Sequence, residues 1–196
     1  MSLRLPESEF RKHPWRIHEV TQDFDVEDVW QLPGAEPLSS FPQVVEFLAS
    51  YDPADSPQPV RFLWAARWKL GEWFGWDDDS DSIGARVSSL RERLPEDLRA
   101  ASPRSNLFSD LPFDPLYELA DEFAAEIANK TMHGVLHLGA VPAEGGLTSV
   151  QMTVLVKTNG LFGRAYMAAI KPFRYAIVYP VMIRSMTKRW ALRRGE

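Results

Sequence analysis

The sequence predicts an α+β protein, on three observations. The first half carries apolar residues at helical spacing: Val44, Val45, Phe47 and Leu48 in FPQVVEFLASY, then Phe62, Ala65, Ala66, Lys69 and Leu70 in VRFLWAARWKL. From Leu116 to Lys157 the pattern changes to short alternating segments separated by turn residues, as expected of antiparallel strands. The stretch GLFGRAYMAAIKPFRYAIVYPVMIRSMTKRWALRR then closes the chain as a long helical run. Helices come first, a sheet next and a helix last, within one domain of 196 residues that is 45% hydrophobic.

Taken in order, WRIHEV (residues 15–20) alternates Trp15, Ile17 and Glu19 with Arg16, His18 and Val20, carries β-branched residues and reads as a first strand. A helix follows over FPQVVEFLASY, with Ser39 or Ser40 as cap and Pro42 in its first turn. The Pro-rich YDPADSPQP is a connection to a second helix, which places Trp64 and Trp68 on one face. DDDSDS begins like a calcium loop, but Ser82 and Ser88 stand where that loop needs Gly and Glu, so it reads as a solvated loop. VSSLRERLPEDLRA is a short helical or irregular segment interrupted by Pro95. LYELA, TMHGVLHLGAV and TSVQMTVLVK are strands, the last two joined by a hairpin at AEGG. EFAAEIA is open between strand and helix, because Phe123 and Ile127 sit four apart. In the last stretch Pro172 is expected to open a second helix and Pro180 to kink or split it, behind an apolar stripe of Tyr175, Val178, Tyr179, Met182, Met186 and Trp190.

There is no cysteine, which excludes disulfide staples and fits a reducing, cytoplasmic setting. The first residues have no apolar segment of the kind a secretory signal needs, and YAIVYPVMI falls far short of the roughly 20 residues that cross a bilayer. Net charge is −5, split between +8 over residues 157–196 and −13 over the rest. A basic tail on an acidic body marks an internal match, a nucleic-acid contact, or the binding of an anionic membrane surface or a partner through the last helix. Nucleic-acid binding is disfavoured by the pI of 5.4.

His133 and His137 are four residues apart. On a strand they share one face about 13 Å apart, while two ligands of one zinc need nitrogens within roughly 4 Å. Gly134, Gly139 and the β-branched Thr131 and Val135 argue against the helix that would bring them together. They are expected to be hydrogen-bonding sheet histidines on the more polar face, joined across the hairpin by Gln151 and Thr153, with that face either at solvent or lining a pocket. No phosphate loop, dinucleotide-binding turn, nucleophile elbow or cysteine nucleophile is present, and no cofactor is implied. The carboxylates Glu118, Asp121, Glu122 and Glu126 crowd one region and offer a proton-transfer set of Glu126, or Glu122, with His133 and Tyr166.

Taken together, EIANKTMHGVLHLG and QMTVLVKTNGLFGRAYMAAIKPFRYAIVYP resemble a bacterial family of unknown function, found alone or fused behind short-chain-dehydrogenase-like domains. The residues that carry the likeness include Glu126, Asn129, His133, His137, Lys157, Asn159, Gly160, Tyr166, Pro172 and Tyr179; HPWRIHEV and RWKLGEWFGWD look similar too. That family is thought to resemble the START-like (SRPBCC) helix-grip superfamily, which implies a curved antiparallel sheet wrapped around a long C-terminal helix and an apolar cavity between them; the order read above, with two helices inserted after the first strand, agrees with it. The chain's own aromatic, Met and His residues, Trp64, Trp68, His133, His137, Met152, Tyr166, Tyr175 and Tyr179, are then the expected lining for a small hydrophobic or amphipathic ligand, with core packing as the alternative for the aromatic and Met side chains. The likeness transfers no catalytic residues.

Overall fold

The computed structural model describes residues 4–50, 87–103, 107–108, 111–129 and 132–194. Short elements open the chain: β1 (Arg4–Leu5), α1 (Glu7–Arg11), a 3-10 turn at Arg16–Glu19, β2 (Asp25–Gln31) and α2 (Phe41–Ala49). Another 3-10 turn (Leu90–Arg93) and α3 (Glu96–Ala100) precede four strands, β3 (Asp114–Glu118), β4 (Glu122–Ala128), β5 (Met132–Pro142) and β6 (Thr148–Thr158). The chain then runs through α4 (Gly160–Phe173), a π turn (Arg174–Val178) and α5 (Tyr179–Arg194). The expected helix bearing Trp64 and Trp68, and the acidic DDDSDS loop, lie outside the described residues.

The six strands form one sheet in the order β1-β2-β6-β5-β4-β3, every neighbouring pair antiparallel. The α+β class and the β5–β6 hairpin expected from the alternating pattern are both present. Gly145 and Gly146 take φ of 69° and 75° in its loop, a left-handed conformation that glycine enters without a Cβ penalty. EFAAEIA is a strand, pairing from Glu122 opposite Gly139 to Ala128 opposite His133.

Side chains alternate across the sheet, and each face has its own core. On one face Val135, Val141 and Leu155 meet Phe10, Trp15, Ile17, Val20 and Phe24 from the N-terminal segment and Leu90, Leu94 and Leu98 from the turns after it. On the other, Phe123, Leu138, Val150, Met152 and Trp30 meet α2 through Phe41, Val44, Val45 and Leu48, and α5 through Tyr179, Ile183 and Met186. Met182 and Trp190 pack against this second core, so the apolar stripe of the last helix is used inside the fold.

Three expectations change. WRIHEV is not a strand: Arg16–Glu19 is a 3-10 turn, and Ile17 and Val20, three apart, both point into the core, the spacing of a three-residue turn. The first long strand is DVEDVWQ, and α2 follows it. Finally, Pro172 does not open a helix but sits near the end of α4, and Pro180 is the second residue of α5. The π turn between them widens the backbone ring by one residue, where Pro180 has no N–H to give and its ring would crowd the carbonyl four residues back.

Candidate functional site

Two polar clusters stand out, one on each face of the sheet. The first is built by β4 and β5. Glu122 and Glu126, two side chains of the same face, take the same three kinds of partner. Glu126 accepts from His133 Nε2 at 2.8 Å, from the Leu90 backbone N–H at 3.0 Å and from the Ser89 hydroxyl at 2.5 Å. Glu122 accepts from His137 Nε2 at 3.1 Å, from the Arg16 and Ile17 backbone N–H groups at 2.8 and 2.9 Å, and from the Tyr117 hydroxyl at 2.6 Å. Each carboxylate therefore caps the start of one 3-10 turn, satisfying N–H groups that have no partner within the turn and meeting their positive end with negative charge.

Burial alone would raise both carboxyl pKa values. For Glu122 the hydrogen bonds from His137 and Tyr117 more than offset it; for Glu126 those from His133, Leu90 and Ser89 do, and both stay below the ordinary glutamate range. His137 is fully buried and burial pulls its pKa down. Its Nδ1 makes no hydrogen bond, so the ring is neutral with its proton on Nε2, donated to Glu122. Burial beside Glu122 likewise pushes the Tyr117 hydroxyl up, keeping it a donor.

The two histidines do share a face, and His137 lies opposite Thr153 as the strand reading expects. That face is neither solvent nor open pocket: the rings of Phe10 and Trp15 cover His137 at 5.3 Å each, and Phe24 covers His133 at 5.1 Å. Each histidine faces a different carboxylate, and both carboxylates are engaged in holding backbone.

The second cluster lies where β2 meets the end of α4. Val26 pairs with Leu155 and Asp28 with Val154, which leaves Glu27 as the extra residue of a β-bulge. The bulge puts two consecutive carboxylates on one side, where both reach Arg174 at the start of the π turn: Asp28 hydrogen-bonds it directly, and Glu27 lies 3.8 Å from Nη1. Arg174 also donates to the Tyr179 hydroxyl at 2.8 Å, and the Tyr175 hydroxyl donates to the Glu27 carbonyl at 3.0 Å. Lys171 Nζ sits 3.5 Å from Glu27, and the Arg4 guanidinium stacks 3.9 Å above the Tyr175 ring. Burial works against the charge of Arg174, yet Tyr179 and Asp28 raise its pKa on balance; burial also raises the Tyr179 hydroxyl.

Over this cluster opens a cleft of about 490 Å3, lined by Arg4, Leu5, Pro6, Glu7, Val26, Glu27, Asp28, Val29 and Lys171. Leu5 and Val26, which help to line it, also pack against the first core. Asp28 is only 2% exposed, and one carboxylate oxygen of Asp28 and one of Glu27 make no hydrogen bond.

Of the side chains singled out from sequence, Tyr175 and Tyr179 come together in the second cluster, while Glu126, His133 and His137 come together on the opposite face. Met152 is buried in the core beside Trp30. Tyr166 belongs to α4, and its side chain, like Trp64 and Trp68, lies outside the described residues. Sequence reasoning missed Glu27, Asp28 and Arg174. The bulge breaks the alternation of DVEDVWQ, and the available signal was the acidic run beside Val26, Val29 and Trp30.

Compared with known proteins, residues 20–181 match a family described as "Protein of unknown function (DUF2867)". No curated protein and no solved structure gives a significant match.

Proposed function

The chain belongs to the DUF2867 family, whose description assigns no activity, and on its geometry we propose that it binds a small amphipathic ligand in the cleft between the β1–β2 sheet edge and the C-terminal helices. One observation carries this reading: the β-bulge of β2 lines the cleft, and the π turn of the last helix meets that bulge through Arg174. Both devices interrupt regular hydrogen bonding and are retained where a side chain must be re-aimed, frequently beside functional sites. Here they aim Asp28, Glu27, Arg174 and Tyr179 at one another, beside a concave surface lined by Glu27 and Asp28 together with Leu5, Pro6 and Val26. In this reading the C-terminal helical run is the grip of a helix-grip fold, and the ligand enters at the sheet edge.

A proton-transfer role for Glu126 with His133 has less support, because that carboxylate already holds the Leu90 turn and lies beneath the N-terminal segment.

Native mass spectrometry of the freshly purified chain tests the binding role. The expected result is a retained adduct of a few hundred daltons that is lost in a Val26→Trp variant, whose side chain fills the cleft. An adduct held equally by both proteins overturns the assignment of the cleft.

A further inference from the structure

Away from the cleft, on the opposite face of the sheet, we infer that the first core binds one fixed internal water molecule, shared by His137, Thr153, Gln151 and Trp15. The unpartnered groups supply the first reason. His137 Nδ1, Thr153 Oγ1, Gln151 Oε1 and Trp15 Nε1 make no hydrogen bond among the described residues, and the four residues are 0%, 0%, 1% and 7% exposed. One buried polar group without a partner is costly, and four of them together call for a common one.

Their placement supplies the second. His137 pairs across the hairpin with Thr153 and Gly139 with Gln151, so His137, Thr153 and Gln151 hold three corners of one four-residue patch on the same face. Gly139 is the fourth corner, and the Trp15 ring lies over it: a Cβ there would stand 3.1 Å from Cε2, the ring carbon bonded to Nε1. The centre of the Trp15 ring system is 5.3 Å from that of His137. Neighbouring strands run about 4.8 Å apart, close to the roughly 4.6 Å between two partners of one tetrahedral water at ordinary hydrogen-bond lengths.

Their chemistry supplies the third. Trp15 Nε1 only donates, and Gln151 Oε1 only accepts. His137 Nδ1 accepts too, because the ring proton sits on Nε2 facing Glu122. The Thr153 hydroxyl completes the set as a second donor. A water gives its two hydrogens to His137 and Gln151 and takes those of Trp15 and Thr153, whereas the Trp15 N–H repels a cation and the two acceptors repel an anion. The water extends the chain that runs from Tyr117 through Glu122 to His137, ties Trp15 to β6 and fixes the neutral tautomer of His137.

The test joins a high-resolution crystal structure of the full chain to a water-selective NOE measurement on the 15N-labelled protein. The expected results are a solvent peak at about 2.7–3.2 Å from at least three of the four atoms, and a cross-peak from the Trp15 indole N–H to a long-lived water. That cross-peak is expected to persist in Thr153→Val, which keeps three partners and removes the hydroxyl proton that could imitate water. A structure in which Thr153 donates straight to His137 Nδ1 and Trp15 to Gln151 Oε1, with no solvent peak between them, overturns the inference. So does a wild-type chain without the cross-peak, or a cross-peak that vanishes with the Thr153 hydroxyl.

Discussion

Glu122 and His137 meet at 3.1 Å inside a wall of aromatic rings, and the carboxylate of that pair holds the backbone of residues 16 and 17 against the sheet. The pair ties β4 and β5 to the N-terminal segment. Glu126 and His133 repeat the arrangement four residues later on β4 for the Leu90 turn.

Replacing Glu122 by Ala removes an acceptor shared by four donors, leaving the Arg16 and Ile17 N–H groups and the Tyr117 hydroxyl buried without it. The expected loss is about 3–5 kcal/mol in urea unfolding, the scale of breaking a buried, paired charge. Glu126→Ala is expected to cost a similar amount. A loss near 0.5 kcal/mol, the size of an ordinary surface change, would show that neither turn depends on its carboxylate.

Stability is expected to fall with acid in two stages. His137 has a folded pKa below its ordinary 6.5, so below that pH the unfolded chain takes up a proton that the folded chain refuses, and stability drops. Glu122 and Glu126 have folded pKa values below 4.5, so their contribution is complete above that value and is lost as pH falls through the folded pKa values. Urea unfolding from pH 8 to pH 3 measures both stages. In His137→Gln the upper stage, below pH 6.5, is expected to shrink to the smaller share of His13 while the lower one persists.

The backbone of Gly139 lies under Trp15, so that a Cβ there would stand 2.6 Å from ring carbon Cζ2. Gly139→Ala is expected to cost about 1–3 kcal/mol in thermal unfolding, the usual penalty of overpacking. Trp15→Leu in the same chain is expected to recover part of it, because the two changes relieve one contact and are not additive.

What the sequence made legible follows from how regular each element is. β5 and β6 are eleven residues each, with unbroken pairing and a Gly-Gly loop, so alternation and turn chemistry identify them and place His133 and His137 on one face. Alternation says which side chains share a face but not what covers it. The covering rings of Phe10, Trp15 and Phe24 are more than a hundred residues away in the chain. WRIHEV carries apolar residues that suit a strand equally well, and the partner that makes it a turn, Glu122, is equally distant. The cleft was least legible, since its two defining features are departures from periodicity: the extra residue at Glu27 and the π turn after Phe173.

Arg174 and Asp28 are the ion pair beneath the cleft, with the Asp28 carboxylate wholly covered. Arg174→Met alone is expected to destabilise by about 3–5 kcal/mol, because it strands a buried carboxylate, whereas combining it with Asp28→Leu recovers most of the loss. A double-mutant cycle in urea reads the coupling directly.

The cleft itself is tested most directly by intermolecular NOEs between the methylene protons of a small amphipathic probe, 1-hexanol, and the methyl-labelled chain. NOEs to the methyl groups of Leu5, Val26 and Val29 are the expected result, since these side chains line the cleft. NOEs confined to methyl groups of the second core, such as Leu138 and Ile183, would place the ligand between sheet and helix and contradict the account.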